Sequence, residues 1–598
     1  SEFLFIKIKH IMMKKVILLP LFLFCSSLFS DVISQQVNIP DVMGKVNPKN
    51  EFISPYVFSL LDTLPSFPGF PKVIPGTTAE GSIFCNMDSD PDLEIVLNIN
   101  TTIQAFNKDG SNVPGWPINV GTQPLQGAPA FGDVDGDGQE EIICVSTFGS
   151  NQGRIYAYRK NGTSLTGFPI THGYSSRTPV LADLNNDGKL EIIVNKRLTS
   201  AGEGWVYKGD GTVYPGWPKP INHVPASSAA VGDITGDGIP EIIAESYTSL
   251  YAWDRDGNLL TGFPFILPGD YKNSYSSPVL ADVNNDNIRE IIFGSQSQSG
   301  PGCVHIIKND GTVYPNWPKI TENWVYTPPS VGFINGDNVL DIAVGDQVLA
   351  GSPSDKLYCW DVNGNSLTGF PVSNLNAINS QVLIGDIDND NNMELIIDDN
   401  TRSDPGERGQ YLAYNHDGTP VAGWPVTLNG WTLFNVPCLT DIDRNGILDI
   451  IGSGQTGFGT TANINLYLWN TGKNYNASKI ILPMFQYNVR HDGVYNRPTL
   501  VSLENNSPAV VTGFELKQNY PNPFNPSTTI SFSIPKSGFV KLAVYDLLGK
   551  EVSSLVNETR SAGNYEINFK ASNLSSGIYI YKINTDEFTA SKQMILIK

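Results

Sequence analysis

Eight segments of the chain repeat the pattern D-x-D-x-D-G-x-x-E followed by paired apolar residues. They begin at Asn86, Asp133, Asp183, Asp233, Asp282, Phe333, Asp386 and Asp441, in steps of 47 to 55 residues. Oxygens at loop positions 1, 3 and 5 converge when a chain curls around a hard cation, and Ca²⁺ takes about six to eight of them. A main-chain carbonyl at position 7 and a carboxylate at position 9 close the shell. Glycine at position 6 admits the positive φ of the sharp turn.

The predicted side-chain ligands follow copy by copy. The first two sets are Asn86, Asp88, Asp90, Glu94 and Asp133, Asp135, Asp137, Glu141. Next come Asp183, Asn185, Asp187, Glu191, then Asp233, Thr235, Asp237, Glu241, then Asp282, Asn284, Asp286, Glu290. The seventh and eighth are Asp386, Asp388, Asp390, Glu394 and Asp441, Asp443, Asn445, Asp449. The sixth copy is degraded, because Phe333 stands at position 1 and leaves Asn335, Asp337 and Asp341. An apolar ring cannot coordinate a cation, so that copy is expected to be weak or empty. The loops resemble EF-hand loops in their first half only, since no helical pattern flanks them and position 12 lacks its Glu. An Asx-rich hairpin turn needs no metal. Seven good copies outweigh that reading, because clustered carboxylates repel one another without a cation. The expectation is about seven Ca²⁺ sites with a structural role, each tying one turn.

The charge balance agrees. Lys and Arg number 39 against 59 Asp and Glu, a formal charge of -20. The ligand positions hold 25 of those 59 carboxylates, so much of the acidity belongs to the loops. No basic run crosses the body of the chain, which argues against a nucleic-acid partner.

These loops must be carried by short strands. A second phrase recurs between them, as in Tyr156-Ala157-Tyr158 followed by Asn161-Gly162 and Gly167-Phe168-Pro169. Relatives of its end are Gly115-Trp116-Pro117, Gly216-Trp217-Pro218, Gly262-Phe263-Pro264, Asn316-Trp317-Pro318, Gly369-Phe370-Pro371 and Gly423-Trp424-Pro425. Asx-Gly ahead of each aromatic-Pro element is a hairpin signal. Four short strands per repeat is the size of a propeller blade. The recurring aromatics read as packing between neighbouring blades. The phrase also occurs once before the first loop, at Gly69-Phe70-Pro71, and is missing after Tyr467-Leu468-Trp469. This offset implies that the N-terminal segment supplies the outer strand of the last blade. The fold class is therefore all-β: an eight-bladed β-propeller, with seven blades as the alternative, followed by a small immunoglobulin-like β-sandwich.

The domain reading is 1–30 upstream extension and secretion signal, 31–65 lead-in, 66–480 propeller, 481–513 cap of the last blade and linker, and 514–598 sandwich. Lys14, Lys15 and the apolar run Val16 to Phe24, with Ser30 as the last residue removed, read as a secretory signal peptide. The run is too short to span a bilayer. The eleven residues before Met12 read as an over-extension. Five cysteines outside the signal are scattered singly and read as buried thiols.

The repeats resemble FG-GAP/VCBS-type calcium-binding propeller repeats over roughly 66–480. The tract Asn519 to Pro526 and the sequence from Ser576 to Lys598 resemble the type A C-terminal sorting domain of the type IX secretion system, over about 514–598. The resemblance implies the type IX machinery as a partner. It implies a protein released from, or attached to, the outer surface of a bacterial cell. The functional expectation is a binding or adhesion module for an extracellular glycan or protein, with no transmembrane segment in the mature chain.

The alternative is a calcium-dependent polysaccharide lyase, similar to the eight-bladed rhamnogalacturonan lyases. That reaction needs a base and a cation beside a uronate. His172, His223, His305, His416 and His491 each stand alone in sequence, and Arg177, Lys196, Arg197, Arg402 and Arg408 could line a face. The sequence converges none of them, so no catalytic residue is assigned.

Overall fold

The computed structural model describes residues 64–495 and 514–597, apart from short stretches within each. The signal-peptide reading, the lead-in up to residue 63, Arg402 and the linker from 496 to 513 lie outside the described residues. The chain divides into two compact units, residues 1–498 and 499–598. Both are all-β, and no helix among the described residues is long and apolar enough to cross a membrane.

The first unit is propeller-like and holds eight sheets among the described residues, numbered here in chain order. Sheet 4 shows the plan: Ala230–Gly232, Glu241–Ser246, Ser249–Trp253 and Phe265–Ile266 follow one another as antiparallel neighbours. The metal-type loop joins the first two strands. The second strand explains the Glu-Ile-Ile runs. Ile242 and Ala244 enter the core shared with sheet 3, while Ile243 enters the core shared with sheet 5. Side chains alternate across a strand, so a sheet packed on both faces needs an unbroken apolar run.

The aromatic-Pro phrase makes the joints between sheets. Trp116, Trp217 and Trp317 donate their indole N–H to the carbonyls of Lys160, Arg255 and Val362, each in the turn of the following sheet, at 2.8–2.9 Å. In six copies the residue before the aromatic is a glycine of positive φ that lies hard against the turn of the neighbouring sheet: Gly69, Gly115, Gly167, Gly216, Gly262 and Gly369. A Cβ at Gly115 would fall 2.2 Å from the carbonyl oxygen of Asn161. Trp217 and Trp317 then meet Trp253 and Trp360 edge to face, with centroids 5.6 and 6.1 Å apart. Packing between neighbours is thus the role of this phrase.

Both ends of the unit seal it. Lys72–Pro75 pairs antiparallel with Asn463–Asn474, in register from Lys72↔Leu466 to Pro75↔Asn463, and forms the outer strand of sheet 8. Sheets 8 and 1 meet where the Cys438 thiol donates to the Ser82 carbonyl at 3.1 Å and the Leu93 N–H donates to Ile442 at 2.8 Å.

Residues 480–495 form a strap with a longer reach than a cap on the last sheet. Ile480–Leu482 pairs with the first strand of sheet 7, and the Pro483 carbonyl accepts from Leu439 of sheet 8. The Tyr487 hydroxyl accepts from the Val331 N–H of sheet 6. The carbonyls of Val489, Arg490, Asp492 and Gly493 then accept from Phe131, Leu181, Val231 and Leu280, on the first strands of sheets 2, 3, 4 and 5, at 2.8–2.9 Å. A short segment can touch the first strands of seven sheets only if those strands surround it. The strap therefore occupies the axis of the ring.

The second unit is a sandwich. One sheet contains Glu515–Leu516, Ser527–Ile534 and Gly563–Lys570, and the other Gly538–Tyr545, Glu551–Arg560, Gly577–Thr585 and Thr589–Leu596. Phe532, Leu542, Tyr581, Ile583 and Met594 share its core. The two segments that carry its resemblance meet here. Asn522 accepts from the Ile595 N–H at 2.8 Å, and the Phe524 N–H donates to the Ile595 carbonyl at 2.9 Å.

Cys85, Cys144, Cys303, Cys359 and Cys438 are all free and buried. This agrees with their scattered placement in the sequence.

Candidate metal centres

In all eight loops the position-9 carboxylate accepts the main-chain N–H of position 2. The donors are Met87, Val134, Leu184, Ile234, Val283, Ile334, Ile387 and Ile442, at 2.5–3.2 Å. One oxygen of each carboxylate thus anchors the loop. In the fifth and eighth loops the other accepts from Asn284 and Asn470, at 3.4 and 3.2 Å. Glu141 Oε1, Asp341 Oδ1 and Glu394 Oε1 are fully buried without a hydrogen-bond partner. Buried charge of this kind is costly unless a cation or a proton compensates it.

The electrostatics agree. Burial, reinforced by the loop carboxylates, pushes Glu94, Glu141, Glu191, Glu241 and Glu290 up to about 7. Asp341 and Asp449 also rise to about 7, and Glu394 to about 8. The anchoring N–H opposes the shift in each case and does not cancel it. A divalent ion would replace the missing proton.

Four loops bring three carboxylates within metal-holding distance: Asp88, Asp90 and Glu94; Asp133, Asp135 and Glu141; Asp386, Asp388 and Glu394; Asp441, Asp443 and Asp449. Their ligand atoms lie within 4.8 Å of one another. The other four loops carry Asn185, Thr235, Asn284 or Asn335 at position 3, which supplies a neutral oxygen instead. Asn185 and Asn335 turn their amide N–H toward Asp187 and Asp337, at 3.1 and 2.9 Å. Asn284 bridges Asp286 and Glu290 in the same way. Phe333 is half-buried against the hydrophobic core and offers no ligand atom. In the first loop Asn86 donates to the carbonyls of Asp90 and Asp92.

Some loops also hold a cation of the chain's own. The Arg159 guanidinium reaches Asp137 at 2.5 Å, Asp135 at 2.8 Å and Glu141 at 3.7 Å. Lys479 lies 3.2 Å from Asp386, and Lys108 lies 2.7 Å from Asp92. None of these three was singled out from sequence. Arg159 carries a faint signal, since it follows directly on Tyr156-Ala157-Tyr158 and pairs in register with Glu141.

Turn geometry adds a second special position. Position 6 takes a positive φ at Gly138, Gly188, Gly238, Asn287, Asn338, Asn391 and Gly446. Position 4 does so too, at Gly136, Asn186, Gly236, Asn285, Gly336, Asn389 and Arg444. The alternation wraps main-chain N–H groups around the first carboxylate. In the second loop Asp133 accepts from Gly136 at 2.7 Å and from Gly138 at 2.9 Å.

The histidines stay apart from these loops. His172 bonds the Tyr207 hydroxyl at 3.0 Å, and burial pushes it down to about 3, with Lys196 adding to the effect. His305 bonds Ser295 at 2.8 Å and stacks on Phe293. His491 belongs to the strap and lies between the carbonyls of Phe485 and Pro129.

Comparison with known proteins bears on both units. Residues 133–194 match the model of the FG-GAP-like repeat, and residues 518–598 match that of the secretion system C-terminal sorting domain. No curated protein sequence matches the chain. Among solved structures, the chain is similar to the V. cholerae biofilm matrix protein Bap1, at 12% identity and a TM-score of 0.50. That match covers 73% of this chain and 100% of the other. The Pseudomonas aeruginosa PilY1 C-terminal domain matches at 11% identity and a TM-score of 0.32, over 63% of this chain and 87% of that one.

Proposed function

From a chain that carries an FG-GAP-like repeat and ends in a type IX secretion sorting domain, and so is secreted or held at the outer cell surface, we propose a calcium-stabilised binding module for adhesion to an extracellular glycan or protein. The observation that carries this reading is the pairing of an export tail with a ring whose axis is filled by its own chain. Such a ring presents broad faces built from loops, which suit contact with a large ligand. Its fold is shared with a biofilm matrix protein.

The position-9 carboxylates and the Asp residues at positions 1, 3 and 5 would hold the cation. When bound it supplies positive charge and fixes the turn. Asp88, Asp90 and Glu94, with the equivalent sets of loops 2, 7 and 8, form the richest sites. Loops 3, 4 and 5 would use Asn185, Thr235 and Asn284 in their shells, and the Phe333 loop would be the weakest.

Two measurements test the proposal on the full chain. Chelation should lower the melting temperature, with each occupied site losing about 3 kcal/mol relative to a hundredfold excess of calcium over Kd. Immobilised cell-surface polysaccharides and matrix proteins should retain the protein without releasing products. Release of unsaturated oligosaccharides would replace the binding reading with a lyase. Retention on no surface would remove it.

A further inference from the structure

The two ends of the ring differ in chemistry. Antiparallel four-stranded sheets place the metal loops and the Asx-Gly turns at one end. The connections from each fourth strand to the next sheet lie at the other. On that second end, the sector of sheets 3 to 5 gathers cations and aromatic rings from separate segments.

Arg197 ends the second strand of sheet 3, with its guanidinium 5.7 Å from the Tyr174 ring. His223, on the connection into sheet 4, lies 5.0 Å from the Tyr247 ring. Lys272 belongs to sheet 5, and the next residue, Asn273, donates its N–H to the Tyr247 carbonyl at 3.0 Å. Arg177 bridges the same sector, bonding the Ala226 carbonyl at 3.3 Å and lying 4.5 Å from the Tyr275 ring.

The charges acting on His223 are both positive, while the acids Asp270 and Glu203, of sheets 5 and 3, are engaged by Ser297 and Lys196 at 2.8 and 3.5 Å. Partial burial first, then the charges of Lys272 and Arg197, hold His223 below its usual range. Apart from Arg177, these cations and rings are half-buried, so they keep surface open to solvent. A cationic sector on a chain with a formal charge of -20 marks a place where anionic ligands are welcome against the general trend.

We infer that the sector of Arg197, His223 and Lys272, with Tyr174 and Tyr247 and with the buried Arg177 behind them, binds an acidic polysaccharide. This rests on the binding-module reading and narrows it. Uronate carboxylates match the guanidinium and ammonium groups, which form charge-assisted hydrogen bonds with such anions. The rings provide the amphipathic contact area that a sugar face needs.

The test uses the full chain with calcium, in affinity electrophoresis through polygalacturonate, alginate, neutral dextran and single-stranded DNA. Both uronate polymers should retard the protein, more strongly at low salt, and dextran should not. Arg197→Ala with Lys272→Ala should weaken the retardation about tenfold or more, as expected from losing charge-assisted contacts. Tyr247→Ala should weaken it while keeping the salt dependence. Arg255→Ala, in a turn at the opposite end, should leave it unchanged. An unaltered melting temperature confirms that each variant is folded. If the double variant loses its transition, the single Arg197→Gln variant carries the test.

Absence of retardation by uronates, equal retardation of the double variant, or equal retardation by DNA would overturn the inference. Retention on another glycan or a protein, without uronate binding, would overturn it and leave the broader binding reading standing.

Discussion

Glu245 shows how a single carboxylate couples this fold to pH. It is fully buried, its Oε2 accepts from Ser227 at 3.2 Å, and its Oε1 has no hydrogen-bond partner. Burial raises its proton affinity well above the ordinary Glu range. The sign follows from linkage. The contribution is fully present below the unfolded Glu value and is lost as pH rises through the folded one. Glu245→Gln should therefore flatten the fall in stability on the alkaline side and be neutral or stabilising at pH 8. Thermal melts from pH 5 to 9 measure this, and an unchanged pH profile would exclude Glu245 as the source. Glu245 drew no attention in the sequence, where it is one acid among 59. The loop carboxylates were legible because their spacing repeats. Arg159 was not, because its place among Asp135, Asp137 and Glu141 depends on strand register.

At the scale of elements, the joint between sheets is the most legible feature and the least forgiving. Gly-aromatic-Pro was readable as packing from its recurrence alone. The turn it abuts was not, since that turn comes from the next repeat, as with Asn161 against Gly115. Gly115→Ala combines an unfavourable positive φ with a clash against main chain. It should cost about 2–4 kcal/mol in denaturant unfolding, whereas Gly138→Ala, with open space around it, should cost only the backbone strain of about 1 kcal/mol. Equal losses at the two sites would show that conformation alone sets the cost. Asn316 occupies the equivalent position with φ 65, in the one copy of the phrase where Gly is replaced.

For the whole propeller unit, the repeats and the closing strand Lys72–Pro75 could be inferred from the sequence. The missing phrase after Trp469 matched the extra one at Phe70. The course of residues 480–495 could not be inferred. The strap follows no period and meets most sheets through one main-chain hydrogen bond each, which leaves no pattern in side-chain type. A chain ending at residue 479 should therefore lose cooperative unfolding and become protease-sensitive throughout, while one ending at 498 should keep its transition. Limited proteolysis with near-UV circular dichroism separates the two. Equal resistance would make the strap dispensable.

A ring sealed at both ends also counts its own repeats. In an open array, an inserted or lost copy lengthens or shortens the stack and leaves every neighbour contact intact. Here a ninth copy would have to part the seam between Lys72–Pro75 and Asn463–Asn474, and it would carry first strands beyond the reach of the carbonyls from Val489 to Gly493. Duplication, the process that makes repeats, has no small step left in such a molecule. Change is left to the copies themselves, in spacings that vary from 47 to 55 residues and in substitutions such as Phe333 in place of a ligand.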